Sequence, residues 1–289
     1  MTKATTTYGI IGYPVEHSLS PLMHNAAFKE LGIKAVYKLF PLEEEELAPF
    51  FEELRKKDSP IFGLNVTVPY KEHVIQYMDT LSPFAKKAMS VNTVVISHDR
   101  KFMGYNTDGP GFLAHLAELK FNTGGKRVAI LGAGGTTRAI LASLCLIPER
   151  PESIRLYNRT EEKARQRVED LTQRMDVSNV RIVPSLDELN IELCDLLINT
   201  TTVGLNDAQA TLIGGELLHP DMLVYDVVYQ PPETKLLGLA REQGAQTANG
   251  LGLLFYQGML SFHRWSNQEL SLEVKNKIRR LLEKGQNHD

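Results

Sequence analysis

The sequence predicts an α/β protein in which an N-terminal α/β domain precedes a second domain built on a doubly wound sheet. Two observations predict it: strand-like apolar runs alternate with helix-like runs along most of the chain, and a glycine-bearing segment, FNTGGK, divides this alternation into two series. Such alternation is typical of βαβ units and largely parallel sheets. The chain has 289 residues, which is enough for two domains of ordinary size.

The first series reads, in order, as strand TYGIIG, helix SPLMHNAAFKEL, strand AVYKLFPL, helix EEEELAPFFEELRKK and strand IFGLNVTV. The segment VNTVVISHDRKFMGYNTDG then predicts a β-hairpin with HDRK at its tip. Directly after the third strand, PYK predicts the start of a helix with Lys71 in its first turn. A cation there is unfavourable by about 0.3–1 kcal/mol, because the exposed N–H groups make a helix N-terminus positive. Lys71 therefore needs a partner or a function.

The second series follows helix PGFLAHLAELK and reads RVAILGAGG, TTRAILASLCL, SIRLYNRT, EEKARQRVEDLTQRM, VRIVPS, DLLINTT, MLVYDVVY and TKLLGLAREQG. Buried-looking strands that alternate with amphipathic helices are typical of a doubly wound sheet. We place the first domain at residues 1–107 and the second at 108–249. The tail, residues 250–289, is purely helical, and its pattern allows it to cap the second sheet or to fold back onto the first domain.

Composition and charge argue against several classes of partner. The net charge of −3 and the 43% hydrophobic content indicate a globular protein without the basic balance of nucleic-acid binding. The N-terminal apolar run is too short for a secretory signal, and no run of about 18 apolar residues predicts a membrane span. Cys145 and Cys194 lie in apolar segments without metal-ligand spacing, which predicts no metal site and buried thiols in the reducing cytoplasm.

A glycine-rich turn between strand RVAIL and the next helix predicts a Rossmann-type dinucleotide site. Gly132 allows the tight turn, Gly134 and Gly135 let backbone N–H groups approach a pyrophosphate, and the helix N-terminus attracts its charge. Ala133 and Thr136 belong to the same turn. Thr137 stands where Gly or Ala is usual, so helix and strand are expected to pack less closely. The alternative is a merely tight βα turn.

The end of the next strand predicts NADP rather than NAD. Instead of the acidic residue that holds a free ribose 2′-hydroxyl, this chain has Asn158, Arg159 and Thr160, with Lys163 one turn later. Arg159 can bind a 2′-phosphate, and Thr160 can cap the following helix while donating to the same group. The alternative is a capping sequence with a solvated arginine.

Polar residues at strand ends in the first domain predict a pocket. Asn65 and Thr67 share one face of the third strand, opposite an apolar face with Val66 and Val68, and Asn92 interrupts a β-branched run. Asp108 ends the hairpin. It has an alternative role as a helix cap, but it is also the candidate partner that orients Lys71 as an acid–base pair.

A pair of serines precedes the first helix. Ser18 and Ser20 lie two residues apart in an extended segment beside a helix N-terminus, an arrangement that suits a carboxylate or another small anion. Ser20 has the alternative role of N-cap.

The motifs HSLSPLMHNAAF, GLNVTVPYK, VNTVV, GYNTDGPGF, GAGGTTRA, NRT, INTTTVGL, VYDVVYQPPETKLL and NGLGLLFYQGMLSFHRW together resemble the shikimate dehydrogenases over nearly the whole chain. The resemblance implies reversible NADPH-dependent reduction of 3-dehydroshikimate to shikimate on the route to chorismate and the aromatic amino acids. It also implies a substrate domain rejoined by the C-terminal helices, an active site in the cleft between domains, and a cytoplasmic homodimer.

The resemblance further implies roles for individual residues. Lys71 and Asp108 would be the catalytic pair, and Lys71 would pass a proton to the forming alkoxide. Substrate would contact Ser18, Ser20, Asn65, Thr67, Lys71, Asn92, Asp108, Tyr229 and Gln257. The cofactor would contact Gly132, Ala133, Gly134, Gly135, Thr136, Asn158, Arg159, Thr160, Lys163, Thr200, Val227 and Gly250.

Two departures from the family pattern are local. Leu205 stands where methionine is common, before a loop without the usual proline, and Asn249 replaces a frequent Asp. Three alternatives stay open: a quinate or broader shikimate/quinate dehydrogenase, use of NAD, and a non-catalytic NADP- or metabolite-sensing relative. A quinate-preferring relative would more often carry an acidic residue at Asn158–Arg159, and a sensor would be expected to have lost Lys71 or Asp108.

Overall fold

The computed structural model describes residues 5–286 as two compact α/β units. One unit comprises residues 5–111 with Phe255–Gly285, and the other comprises Phe112–Leu254 with Gln286. Residues 1–4 and 287–289 are not described, so the start of the segment that argued against a secretory signal lies outside the described residues.

The first unit is built on a six-stranded mixed sheet. Its strands are β1 (Thr6–Gly12), β2 (Ala35–Pro41), β3 (Ile61–Val66), β4 (Thr80–Leu81), β5 (Thr93–Ile96) and β6 (Phe102–Tyr105), in the order β2-β1-β3-β5-β6-β4. β1 runs parallel to β2 and β3, whereas β5 is antiparallel to β3 and β6. The predicted hairpin is therefore confirmed, and it makes the sheet mixed because a short connection reverses the chain direction.

Helices α1 (Ser20–Glu30), α2 (Leu47–Leu54) and α3 (Pro83–Ala88) also belong to this unit, as do residues 255–285 of α8 (Leu251–Ser266) and α9 (Leu272–Gln286). Trp265 of α8 packs onto the sheet, and its Nε1–H donates to the Val94 carbonyl at 3.0 Å. Gly63 leaves the room for this indole, because a Cβ there would lie 2.3 Å from Trp265 Nε1.

The second unit contains the predicted doubly wound sheet. Its strands are β7 (Arg127–Leu131), β8 (Ser153–Tyr157), β9 (Val180–Ile182), β10 (Leu196–Asn199), β11 (Leu223–Asp226) and β12 (Gln246–Ala248), all parallel and ordered β12-β11-β10-β7-β8-β9. Helix α4 (Asp108–Glu118) precedes β7. Helices α5 (Gly135–Leu146), α6 (Glu161–Thr172) and α7 (Lys235–Glu242) follow β7, β8 and β11, whereas β9–β10 and β10–β11 are joined by segments with short 3₁₀ helices. The strand order reverses between β7 and β10, where doubly wound sheets bind ligands.

The predicted helix at Lys71 is wrong. β3 ends at Val66, residues 68–72 form turns, and His73–Tyr77 is a short 3₁₀ helix that starts after Lys71. Tyr70 holds the turn in place, since its ring is buried and its hydroxyl donates to the Leu42 carbonyl at 2.7 Å. The helix-dipole argument for Lys71 therefore lapses.

Candidate substrate and cofactor sites

A buried ion pair lies at the centre of the first unit's polar cluster. Lys71 Nζ donates to Asp108 Oδ2 at 2.6 Å, and the two side chains are 10% and 8% exposed. The predicted contact is confirmed. The Lys71 carbonyl accepts from the backbone N–H of Val91 at 2.7 Å, which ties the lysine turn to the chain just before β5.

Asp108 does not cap α4, so that alternative is wrong. The cap is Asn106, whose Oδ1 accepts from the backbone N–H groups of Asp108 and Gly109 at 3.1 and 3.3 Å. Because Asn106 satisfies these N–H groups, the Asp108 carboxylate faces Lys71 instead.

Asn92 holds the second oxygen of the same carboxylate. Its Nδ2 donates to Asp108 Oδ1 at 2.7 Å and to Thr107 Oγ1 at 2.9 Å, and lies 3.3 Å from Gln257 Oε1. Its Oδ1 accepts from the Thr107 backbone N–H at 2.7 Å. A buried carboxylate is costly unless its oxygens are paired, and Asn92 together with Lys71 supplies that pairing.

Asn65 at the end of β3 forms the next part of the cluster. Its Oδ1 accepts from the Tyr37 hydroxyl at 2.8 Å, and its Nδ2 donates to the Asn92 carbonyl at 3.1 Å and to Ser261 Oγ at 3.0 Å. Asn65 is 4% exposed. Both the oxygen and the nitrogen of the Asn65 amide are therefore hydrogen-bonded, which explains a poor strand former at this position.

Ser18, Ser20 and Thr67 lie at the ends of α1 and β3. The N-cap of α1 is Leu19, so the reading of Ser20 as the N-cap is wrong; Ser20 is the first helical residue, and its N–H donates to Ser18 Oγ at 3.3 Å. Thr67 follows the last residue of β3. Val68 is 62% exposed, so its predicted place on an apolar strand face is also wrong.

The structure thus brings Asn65, Lys71, Asn92, Asp108 and Gln257 into one hydrogen-bonded cluster. Tyr229 belongs to the second unit. The catalytic and substrate-binding roles stay predictions.

The sequence reasoning missed Tyr37 and Ser261. Ser261 is fully buried, its Oγ lies 2.7 Å from Thr93 Oγ1, and it donates to the Gln257 carbonyl at 3.0 Å. A serine in the apolar run GMLSF, one helical turn after a glutamine, was the signal that could have identified it. Tyr37 gave no such signal, because tyrosine is an ordinary strand residue.

The glycine-rich turn of the second unit fits a dinucleotide. Gly132 has φ +105°, and a Cβ there would lie 2.6 Å from Thr200 Oγ1, so only glycine is accommodated. A Cβ at Gly134 would meet no atom within 4 Å, which leaves space for a pyrophosphate beside the N-terminus of α5. Thr137 fits the turn, since its Oγ1 accepts from the Gly134 N–H at 3.0 Å and lies 2.7 Å from Thr200 Oγ1.

The segment after β8 presents exposed cations. Arg159 and Lys163 are exposed, and within residues 5–286 neither forms an ion pair. Thr160 is the N-cap residue of α6, but its hydroxyl makes no capping hydrogen bond, so its predicted capping bond is absent from the described structure. Asn158 Nδ2 donates to the Thr160 carbonyl at 2.7 Å and shapes the turn.

Close packing explains why residue 250 is a glycine. A Cβ there would lie 1.9 Å from the Val227 carbonyl oxygen. Asn249 caps the start of α8, since its Oδ1 accepts from the Leu251 N–H at 3.1 Å while its Nδ2 donates to the Pro232 carbonyl at 2.9 Å. Asparagine therefore serves well at the position where the family often has Asp.

Within the described chain, no group of three or more His, Cys, Asp or Glu side chains is arranged to hold a metal ion. Among the same residues, no helix has the length and apolar character that a membrane crossing requires.

A doubly wound unit with a dinucleotide turn and an exposed arginine after its second strand, in one chain with a buried lysine–carboxylate pair, defines the class of NADP-dependent oxidoreductases. The profile of the shikimate dehydrogenase substrate binding domain matches residues 10–94. The shikimate dehydrogenase (NADP(+)) of Methanopyrus kandleri is 42% identical over 275 residues, which cover 93% of each chain. The chain belongs to the shikimate dehydrogenase family.

Similar solved structures include shikimate dehydrogenases and one reductase with a different substrate in its name. Shikimate 5-dehydrogenase from Listeria monocytogenes, solved with shikimate and NAD, is 34% identical with a TM-score of 0.85, over 96% of this chain and 97% of that one. The ligand-free 5-ketofructose reductase of a Gluconobacter strain is 29% identical with a TM-score of 0.82, over 97% and 98% of the two chains.

Proposed function

We propose that the protein catalyses the reversible NADPH-dependent reduction of 3-dehydroshikimate to shikimate, a step toward chorismate and the aromatic amino acids. The observation that carries the proposal is the buried contact of 2.6 Å between Lys71 and Asp108 inside a cluster of side-chain amides. Family membership at 42% identity over 93% of the chain supports the substrate.

Lys71 is the proton donor in this proposal. When bound, NADPH supplies the hydride that the carbonyl carbon receives. The Lys71 ammonium gives a proton to the carbonyl oxygen as it becomes an alkoxide, and the reverse reaction returns that proton to the lysine. Asp108 orients the amine through Oδ2, while Asn92 fixes Oδ1 and so prevents the carboxylate from rotating.

The remaining cluster is proposed to bind the substrate. Ser18 and Ser20 bind the substrate carboxylate, and amide, hydroxyl and carboxylate side chains bind the ring hydroxyls. These contacts come from Asn65, Thr67, Asn92, Asp108, Tyr229 and Gln257. Residues 1–107 completed by 250–289 are proposed as the substrate-binding domain.

Residues 108–249 are proposed as the NADP-binding domain. The turn from Gly132 to Thr136 takes the pyrophosphate, and Arg159 with Thr160 and Lys163 takes the 2′-phosphate. Asn158, Thr200, Val227 and Gly250 complete the set; the contact of 1.9 Å that a Cβ would make at Gly250 supports a close backbone approach there. The buried free thiols Cys145 and Cys194 support a cytoplasmic location, and a homodimer is proposed from the family.

A steady-state comparison of shikimate with quinate, each with NADP and with NAD, tests the proposal. We expect efficient turnover of shikimate with NADP but not with NAD, and no efficient turnover of quinate. Turnover only of quinate with NAD would overturn both the substrate and the cofactor. No turnover with tight NADP binding would instead indicate the metabolite-sensing alternative.

The likeness to a 5-ketofructose reductase favours one further candidate substrate, a keto sugar. Including 5-ketofructose with NADPH in the same comparison decides between them. The keto sugar has no carboxylate, so replacing both Ser18 and Ser20 with alanine should raise the KM for shikimate and leave the KM for 5-ketofructose unchanged.

A further inference from the structure

We infer that the Tyr37 hydroxyl is a positioning group for substrate binding, which fixes the orientation of the Asn65 amide. The inference rests on the proposed function, because it concerns the same substrate cluster. Tyr37 lies on β2, the edge strand of the first sheet, and is 2% exposed. Its hydroxyl donates to Asn65 Oδ1 at 2.8 Å.

This hydrogen bond selects one of two amide orientations. The Asn65 side chain has an oxygen that accepts and an NH₂ group that donates, and rotation by half a turn exchanges them. In the observed orientation Nδ2 faces three oxygen atoms, the Asn92 carbonyl, Thr93 Oγ1 and Ser261 Oγ. The phenol is a persistent donor, since burial raises the pKa of Tyr37 well above its usual value. Tyr37 therefore keeps the oxygen on its own side and the NH₂ group toward Asn92.

The same hydroxyl also interacts with the candidate carboxylate site. The Ser20 side chain lies beside it and partly offsets the rise of the Tyr37 pKa that burial causes. Tyr37 thus connects Ser20 at the start of α1 with Asn65 at the end of β3. Ser20 is proposed to bind the substrate carboxylate and Asn65 a ring hydroxyl, so the phenol lies between two proposed contacts of one substrate.

Tyr37 is itself held by the neighbouring helix. Asn25 of α1 accepts from the Tyr37 backbone N–H at 2.8 Å and donates to its carbonyl at 3.1 Å, as a neighbouring strand would. The ring stacks on His24 with centroids 4.5 Å apart and planes 20° apart. Removing only the hydroxyl therefore leaves the ring in place.

The test is Tyr37→Phe beside the control Tyr8→Phe. Tyr8 is the register partner of Tyr37 on β1, is 9% exposed, and packs in the same aromatic cluster, with its ring centroid 5.1 Å from those of Phe28 and Trp265. Leaving a buried acceptor without its donor weakens a site by about tenfold in affinity, so Tyr37→Phe should raise the KM for shikimate by about that factor. The KM for NADP should change little, whereas the melting temperature should fall relative to Tyr8→Phe, because the buried Asn65 oxygen loses its donor.

A double-mutant cycle identifies the route of the effect. If Tyr37 acts through Asn65, Tyr37→Phe should raise the KM much less in an Asn65→Ala background than in the wild type. An equal effect in both backgrounds, or equal KM values for Tyr37→Phe and Tyr8→Phe, would overturn the inference. Failure of the wild-type protein to turn over shikimate would overturn the proposed function instead.

Discussion

The candidate site residues of the two units differ in how far they are buried. In the first unit, Lys71, Asp108 and Asn92 are at least nine-tenths buried and bonded to one another. In the second unit, Arg159 and Lys163 are exposed and have no ionic partner within the described chain. A proton transfer requires donor and acceptor in one fixed geometry, which burial and mutual hydrogen bonds supply. Binding a phosphate requires mainly positive charge, which flexible exposed side chains can supply.

Replacing the buried cation should have the largest effect. Lys71→Met should lower kcat by about a hundredfold or more and leave shikimate binding largely intact, because the general acid is lost. Lys126→Met is the matched control, since its ammonium pairs with Asp195 at 3.1 Å but is 43% exposed. Steady-state kinetics and shikimate titration measure both. A kcat near the wild-type value in Lys71→Met would remove the proposed role.

Replacing the exposed Arg159 should change the KM for NADP and leave the KM for shikimate unchanged. Arg159→Ala should raise the KM for NADP by about tenfold to a hundredfold, because a charge-assisted bond to the 2′-phosphate is lost. The KM for shikimate and the use of NAD should stay as they are. Arg165→Ala is the control, since Arg165 is exposed on α6 but pairs with Glu161. Equal KM values for NADP in both variants would contradict an NADP role for Arg159.

Packing around Gly250 tests whether the second unit also has a rigid part. Gly250→Ala should destabilise by about 1–3 kcal/mol, because its Cβ would lie 1.9 Å from the Val227 carbonyl oxygen. Gly238→Ala in α7 should instead stabilise by about 0.5–1 kcal/mol, since the nearest atom to its Cβ is a flexible Glu233 oxygen at 3.6 Å. Denaturant unfolding of both variants should show these opposite signs.

Asp226 is a buried carboxyl group of the second unit. Burial raises its pKa from 3.8 to about 6, against hydrogen bonds from Thr234, Val228 and Asn199. Between these values the folded state holds more protons than the unfolded state, so this group contributes stability at low pH that is lost as pH rises through about 6.

Asp226→Asn should therefore flatten the pH dependence of unfolding in that interval, because asparagine does not titrate. Urea unfolding from pH 4 to pH 7 measures it. An unchanged slope in Asp226→Asn would show that the carboxyl is already ionised at low pH in the folded protein.

How much the sequence predicted differs between the two sites. The dinucleotide turn and the Asn158–Lys163 segment are contiguous, so local patterns of glycine, strand and charge identified them. The proposed substrate cluster draws on residues as distant in sequence as Asn65 and Ser261, whose Nδ2 and Oγ atoms lie 3.0 Å apart. The sequence indicated its asparagines as polar interruptions, but it gave no sign of Tyr37, whose role depends entirely on what its hydroxyl contacts.

The sequence by itself determined the two α/β units, the doubly wound sheet and the candidate acid–base pair, because strand and helix periodicity and turn chemistry are local properties. Only the tertiary structure decided how Lys71 is held. The helix predicted after Pro69 begins only at His73, so it does not include Lys71. A turn held by the Tyr70 hydroxyl instead places the Lys71 amine against Asp108. It also decided that Asn106 caps α4, which leaves the Asp108 carboxylate to Lys71 and Asn92. Such choices depend on competing long-range hydrogen bonds, which no local pattern contains.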